Sequence, residues 1–275
     1  MFVDYHMHTN FSPDSPYPVE QEVLDAIALG MDEICITDHV DYGMKKVHLA
    51  ELGYAVDSTD ETYDYFPEYY NKLEYLQSKY KDKIRIKIGQ EFGVQKQVLD
   101  KFEKLYSSYD YDFVLLSIHS INGEPLWLPD FKVDKTQVEY NLQYFEALYD
   151  MVRSFKHYSV LSHLDVIKRR DPNGSVDFEV IEPIVTKILE TAIADGKGIE
   201  LNTSSARFEV DELTPCTEIL KLYRELGGKI ITIGSDAHRP GQLGVGYEEN
   251  VLALKKLGFK QFCTFDKMQP VFHDL

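Results

Sequence analysis

The sequence predicts an α/β barrel of seven or eight strand–helix units, and three observations carry that expectation. Short apolar runs of β character alternate with longer stretches of helical spacing, several helical stretches stop at glycine, and clusters of histidine and acidic residues recur where the apolar runs end. Regular strand–helix alternation argues for a parallel sheet wound with helices, and this many units suggests closure into a barrel. With 275 residues and no linker, repeat or low-complexity tract, the chain reads as one domain over residues 1–275.

The first apolar run, residues 2–5, leads into "HMHT", where His6 and His8 stand one residue apart. Side chains alternate faces along a strand, so imidazoles at i and i+2 converge on one point and form a chelate. A helical pattern follows in "VEQEVLDAIALG", then a run over 33–37 that ends in "TDH" with Asp38 and His39. The next unit is "PEYYNKLEYLQSKY" and a run over 84–89 leading to "GQE" and Glu91. "QKQVLDKFEKLY" precedes a run over 113–118 that ends in "SIH" with His119. "VEYNLQYFEALYDMVRSF" precedes the run at 159–161, which ends in "SHLD" with His163 and Asp165. "FEVIEPIVTKILETAIADG" leads to a run at 198–201 and "ELN" with Asn202; "PCTEILKLYRELGG" leads to 229–233 and "GSDAH" with Asp236 and His238. Two connections, 40–66 and 120–137, exceed ordinary loop lengths and are expected to wall a site; the second carries the only tryptophan, Trp127.

Composition narrows the function classes. Forty-six acidic against 29 basic residues give a formal charge of −17, which opposes the broad basic surface of non-specific nucleic-acid binding, so no nucleic-acid partner is expected. No apolar run approaches the roughly 20 residues of a membrane helix. No basic, apolar leader precedes the first strand, and the expectation is a cytoplasmic protein without membrane contact. Cys35, Cys216 and Cys263 are odd in number and far apart, which suits buried free thiols better than disulfides or a zinc site. Oligomeric state stays open.

Six of the nine histidines fall at strand ends together with Asp and Glu. In a parallel barrel those ends share the face on which active sites are built. Singly, each residue has a plainer use: a buried histidine is satisfied by a backbone hydrogen bond, and a strand-end Asp caps a helix. Seven strand ends obeying one rule point instead to a metal cluster. The candidates outnumber the ligands of one ion, so two or three divalent ions sharing a bridging carboxylate are expected, with Glu91 as the bridge. Nitrogen and oxygen donors without cysteine suit Zn²⁺, Mn²⁺ or Fe²⁺. His48, His157 and His273 stand outside the pattern and read as surface residues, His48 on a lid.

Taken in order, "HMHTNFSPDS", "ITDH", "GQEFG", "SIH", "SHLD", "ELNTS" and "GSDAHRP" resemble the polymerase-and-histidinol-phosphatase (PHP) superfamily, and are similar to the histidinol-phosphate phosphatases within it. The likeness runs from Asp4 to Gly246. It implies a distorted (β/α)₇ barrel of TIM-barrel type with a trinuclear metal site. By motif position, one ion falls to His6, His8, Glu91 and Asp236, a second to Glu91, His119 and His163, and a third to His39 and His238. Many family members offer a histidine where this chain reads "SPDS"; Asp14 stands there, so the third ion is completed by a carboxylate or held more weakly.

Metal ions at such a mouth bring the pKa of bound water to about 7 and clamp phosphate oxygens, so the expected reaction is phosphomonoester hydrolysis by attack of a metal-bridging hydroxide. The resemblance implies L-histidinol phosphate as the small-molecule substrate. Arg169 (or Lys168), Arg207 and Arg239 follow strand ends and are candidates to bind its phosphate; each alone also reads as a solvated charge. Asp165, Asp41 and the acidic stretch 57–64 are candidate walls for its amine and imidazole. The catalytic candidates are Asp38, Glu91 and Asp165, with Asp38 either orienting a ligand or protonating the leaving oxygen. Rival readings are a phosphodiesterase or nuclease on the same ions, a broader phosphatase, a non-catalytic metal-binding barrel, and an amidohydrolase. The last usually places a bridging lysine where this chain offers Glu91.

Overall fold

Continuous apolar stretches such as "EICI" and "FVLLS" have no polar face to show to water, and parallel sheets covered on both sides are where such strands belong. The computed structural model describes residues 1–45, 66–169 and 171–275. Its seven parallel strands are β1 (Val3–Asp4), β2 (Glu33–Ile36), β3 (Arg85–Gly93), β4 (Phe113–Ser117), β5 (Val160–Leu161), β6 (Gly198–Asn202) and β7 (Ile231–Gly234), paired in chain order. Backbone hydrogen bonds then join the last strand to the first: Tyr5 N–H donates to the Ile233 carbonyl at 3.0 Å, Asp236 N–H to His6 at 2.7 Å and His8 N–H to Ala237 at 2.8 Å. The sheet is thus a nearly closed barrel, as the strand count predicts.

The helices α1 (Val19–Ala28), α2 (Phe66–Tyr80), α3 (Leu99–Tyr106), α4 (Gln137–Ser154), α5 (Phe178–Ala194), α6 (Thr217–Glu225) and α7 (Tyr247–Lys256) connect the strands or follow the last of them. In α4 the apolar spacing buries Tyr144, Phe145, Leu148, Met151 and Val152, each contributing on the order of 1.5–3 kcal/mol. Its start is fixed locally: the Thr136 hydroxyl accepts from Glu139 N–H while the Glu139 carboxylate accepts from Thr136 N–H, a capping box.

Three features go beyond the sequence expectation. β3 reaches Gly93 instead of stopping at residue 89, because its upper half pairs with β4 on one side and with the two-residue strand His39–Val40 on the other. That register sets His39 directly beside Glu91. The segment Ser120–Ile121 pairs with Glu124–Pro125 in a small antiparallel hairpin that leads into Trp127. After α7, strands β8 (Gln261–Asp266) and β9 (Gln269–Asp274) form a second hairpin around Lys267 and Met268, both at positive φ as a two-residue primed turn requires. β8 buries Phe262, Cys263, Thr264 and Phe265 against the end of the barrel where the strands begin. All three cysteines are buried and free. His48, the acidic stretch 57–64 and most of the first long connection lie outside the described residues.

Candidate metal centre

Past Asp4 the chain stays extended because the seam bonds to residues 233–237 hold it, and alternation then sends Tyr5 and Met7 into the core and His6 and His8 into the barrel mouth. The Nε2 atoms of the two histidines lie 3.0 Å apart. His6 Nε2 is 3.2 Å from Glu91 Oε2 and 3.5 Å from Asp236 Oδ1; His8 Nε2 is 3.4 and 3.3 Å from the same atoms. A tetrahedral zinc ion with nitrogen and oxygen ligands at about 2.0–2.1 Å sets them roughly 3.3 Å apart, and the two histidines have that spacing with Asp236 on one side and with Glu91 on the other.

Glu91 reaches further. Its Oε1 lies 2.9 Å from His163 Nε2 and 3.2 Å from His119 Nε2, while Oε2 lies 2.9 Å from His39 Nδ1. Oε2 is buried and accepts no hydrogen bond, although three imidazole nitrogens surround it. An orphaned carboxylate oxygen among imidazoles suits a cation, and the donor set of nitrogen and oxygen suits Zn²⁺, Mn²⁺ or Fe²⁺. At the outer edge Asp14 Oδ2 lies 3.2 Å from His238 Nε2 and 3.6 Å from His39 Nε2, so this carboxylate sits between those two rings.

The imidazoles are oriented from behind. His6 Nδ1 donates to Glu200 Oε1 at 2.7 Å and His119 Nδ1 to Asp41 Oδ1 at 2.9 Å. His8 Nδ1 donates to the Ser12 hydroxyl at 3.2 Å, which in turn donates to Asp38 at 2.6 Å. A proton on Nδ1 leaves the Nε2 lone pair facing inward, the tautomer a metal requires. Two glycines make room: a Cβ on Gly234 would lie 2.3 Å from His6 Cβ, and one on Gly93 would lie 1.8 Å from the Asp41 carboxylate. Asp236 adopts the left-handed region at φ 57°, held there by Arg207, whose Nη2 donates to the carbonyls of Ser235 and Asp236 at 2.7 Å.

Electrostatics follow from this crowding. Burial pushes the Glu91 carboxyl up, but His6, His119 and His39 outweigh it and hold the group well below the usual carboxylate range. Asp236 is lowered in the same way, by His6 and Arg169 against burial. Burial, with His39 and His238 nearby, drives His8 well down and keeps it neutral. For His119 burial opposes charge, yet Asp41 and Glu91 raise it to about 9, so metal and proton compete there.

A cavity of about 660 Å³ opens over the cluster and is lined by Asp14, His39, Asp41, His119, His163, Asp236 and His238, with Arg169, Arg207 and Arg239 at its side. Arg169 Nη1 donates to Asp236 Oδ2 at 2.8 Å and Arg207 holds the backbone; Arg169 Nε and Arg207 Nη1 are buried donors without a partner. Arg239 is exposed at the rim.

The structure places the remaining sequence-based candidates more closely. Asp38 does not line the cavity; its carboxylate accepts from the Ser12 hydroxyl and from Thr9 N–H, and through Ser12 it stands behind His8, where the orienting one of its two expected roles would put it. Burial raises its pKa. Asp165 is also outside: the chain turns after β5, alternation ends at His163, and Asp165 Oδ2 accepts from Lys168 Nζ and Cys216 N–H at 2.8 Å beside a separate cavity of about 310 Å³. Lys168 is bound there too, so Arg169 is the one at the mouth. Asp41 lines the cavity and its Oδ1 also accepts from His119 Nδ1, while Leu126, Trp127, Val166 and Ile167 form an apolar part of the wall. Glu200 was missed, although its place two residues before Asn202 in β6 puts both on one face.

The PHP domain profile matches residues 4–204. The histidinol-phosphatase of Lactococcus lactis is 31% identical over 272 residues, covering 97% of this chain and 95% of that protein. That of Saccharomyces cerevisiae is 21% identical over 324 residues, covering 94% and 96%. A crystal structure of the L. lactis histidinol phosphate phosphatase complexed with zinc, L-histidinol and phosphate superposes with a TM-score of 0.84 at 30% identity, covering 98% of both chains. The strand-end ligands, the barrel and these likenesses agree: this chain belongs to the PHP domain family.

Proposed function

We infer that this chain is a metal-dependent histidinol-phosphatase, hydrolysing L-histidinol phosphate to L-histidinol and phosphate in histidine biosynthesis. The observation that carries the reading is one cavity whose histidines and aspartates, gathered around the buried Glu91, face two arginines with free guanidinium donors. We read residues 1–275 as a single domain, since ligands from β1 and from the segment after β7 complete one centre. His6, His8, Glu91 and Asp236 would hold the first ion, Glu91, His119 and His163 the second, and His39, His238 and Asp14 the third. Divalent ions bound there supply Lewis acidity and an activated water for attack on phosphorus.

The chain's own residues do the rest. Arg169 Nε and Arg207 Nη1 bind phosphate oxygens and orient the phosphorus toward Glu91; arginine's planar fork suits that task. Glu200, Asp41 and Ser12 keep the Nδ1 protons of His6, His119 and His8 in place. Trp127 and its apolar neighbours receive the imidazole of the leaving alcohol and exclude water from it. Among the described residues no helix is long and apolar enough to cross a membrane. Among the described residues the lysine and arginine groups that line the cavity are three arginines, in a strongly acidic chain, which supports a small phosphate ester over nucleic acid as the partner.

The test is phosphate release by chelator-stripped protein refilled with Zn²⁺, Mn²⁺ or Fe²⁺, on L-histidinol phosphate, a generic monoester and a phosphodiester. Metal-restored turnover with strong preference for L-histidinol phosphate is the expected result. Cleavage of the diester alone would overturn the substrate and leave the cluster standing.

A further inference from the structure

We propose that Glu200 is a positioning residue that couples the metal centre to the phosphate-binding arginine, so that one buried carboxylate sets the geometry of both. The inference rests on the reading of Arg169 as a phosphate ligand. Glu200 lies on β6 with no exposure to solvent. An ionised carboxylate only accepts, with about four lone-pair positions, and here four groups use them. Oε1 accepts from His6 Nδ1 at 2.7 Å. Oε2 accepts from His163 N–H at 2.8 Å, from Asn202 Nδ2 at 3.1 Å and from the Ser162 hydroxyl at 3.2 Å. Space for the carboxylate is reserved next door: a Cβ on Gly234 would lie 2.4 Å from Oε1.

Two consequences run in different directions. Toward the metals, the carboxylate fixes the Nδ1 proton of His6 and so presents the Nε2 lone pair to the cluster. Toward the phosphate, it fixes which way the Asn202 amide faces. With Nδ2 committed to Glu200, Asn202 Oδ1 must point the other way, where it accepts from Arg169 Nη2 at 3.0 Å and from Ser204 N–H and hydroxyl at 3.1 and 2.5 Å. A flipped amide would set its NH₂ against those donors. Arg169 is then pinned at both terminal nitrogens, Nη2 on Asn202 and on the Ser204 hydroxyl that Asn202 itself holds, and Nη1 on Asp236, and its Nε alone is left without a partner. Asp236 Oδ1 itself lies 3.5 and 3.3 Å from His6 and His8 Nε2, so the path Glu200–Asn202–Arg169–Asp236 closes back on the site that Glu200 reaches through His6.

The test compares E200Q and N202A with the wild-type protein. Zinc affinity is read by chelator competition, and inorganic phosphate affinity by calorimetry at saturating zinc, below the melting temperature of each. The amide in E200Q would keep the shape of the side chain but replace one acceptor oxygen with an NH₂ facing donors. E200Q is expected to bind zinc about 10–100-fold more weakly, the usual effect of losing an outer partner of a metal ligand. It should also bind phosphate at least about tenfold more weakly, because Arg169 loses a charge-assisted anchor. N202A cuts only the second branch and leaves the Glu200–His6 bond in place, so it should lose less zinc affinity than E200Q and share the loss for phosphate. Wild-type phosphate affinity in either variant overturns the coupling; if E200Q does not fold, N202A alone decides. A merely structural role would lower the melting temperatures without moving phosphate affinity. Wild-type protein that binds zinc and phosphate yet leaves L-histidinol phosphate intact would instead strike the substrate reading.

Discussion

Where the strands begin, the Tyr5 hydroxyl donates to Glu33 and accepts from Phe265 N–H, Glu33 also takes Arg85 Nε at 2.7 Å, and Lys87 meets Asp266 at 2.5 Å. Where they end, Glu91 Oε2, Arg169 Nε and Arg207 Nη1 are buried without partners, two imidazole nitrogens face each other at 3.0 Å, and Asp236 holds a left-handed backbone. An unsatisfied buried polar group costs about 1–3 kcal/mol, so the second end is maintained against its own stability. The contrast separates two jobs within one barrel: the hairpin-capped end stabilises the fold, and the open end keeps its bonding capacity for ligands.

Substitutions at each end can sharpen or break that division. The largest loss should come from Glu91→Gln, which removes the carboxylate shared by two proposed ions; turnover should fall by at least about a thousandfold while circular dichroism stays unchanged. A folded variant with near-normal phosphate release would show that Glu91 does not bridge. Next is Arg207→Ala, expected to lower kcat/KM by about a hundredfold or more through loss of charge at the phosphoryl group; steady-state kinetics on L-histidinol phosphate measure it. Smaller again is Trp127→Ala, where the lost apolar wall should raise KM for L-histidinol phosphate roughly tenfold and leave a small alkyl phosphate unaffected. Because Trp127 is the only tryptophan, its fluorescence should also respond when L-histidinol binds the wild-type protein. At the closed end, Tyr5→Phe orphans the Phe265 N–H and should cost about 1–3 kcal/mol, a fall of several degrees in Tm, with kcat per folded molecule unchanged. A drop in kcat at constant Tm would erase the distinction between the two ends.

Legibility in the sequence followed the same boundary. All seven barrel strands were readable, because parallel strands buried on both faces leave unbroken apolar runs. The hairpin of β8 and β9 was not: β9 is exposed along most of its length, so "QPVFHD" shows no buried face to detect. At the mouth, His6 and His8 were readable because alternation is strict in an extended segment. Which of its two roles Asp38 takes, and where Asp165 points, depend on that rule's direction and its limits. "TDH" places neighbours on opposite faces, and "SHLD" leaves the strand after Leu161 and turns. Glu200 followed the alternation rule but hid inside a strand that looked like ordinary core, with only its terminal Asn202 drawing notice. Asp41 belongs to a partner ring across the barrel, a relation that no local spacing encodes.

The seam between β1 and β7 has a consequence for how the candidate centre is assembled. The backbone bonds that join the two segments form between the same residues that bring His6 and His8 beside Asp236, although these lie far apart in the sequence. A slip of one residue in that register would turn both histidines away from the mouth, so closing the barrel and assembling the candidate centre are one event.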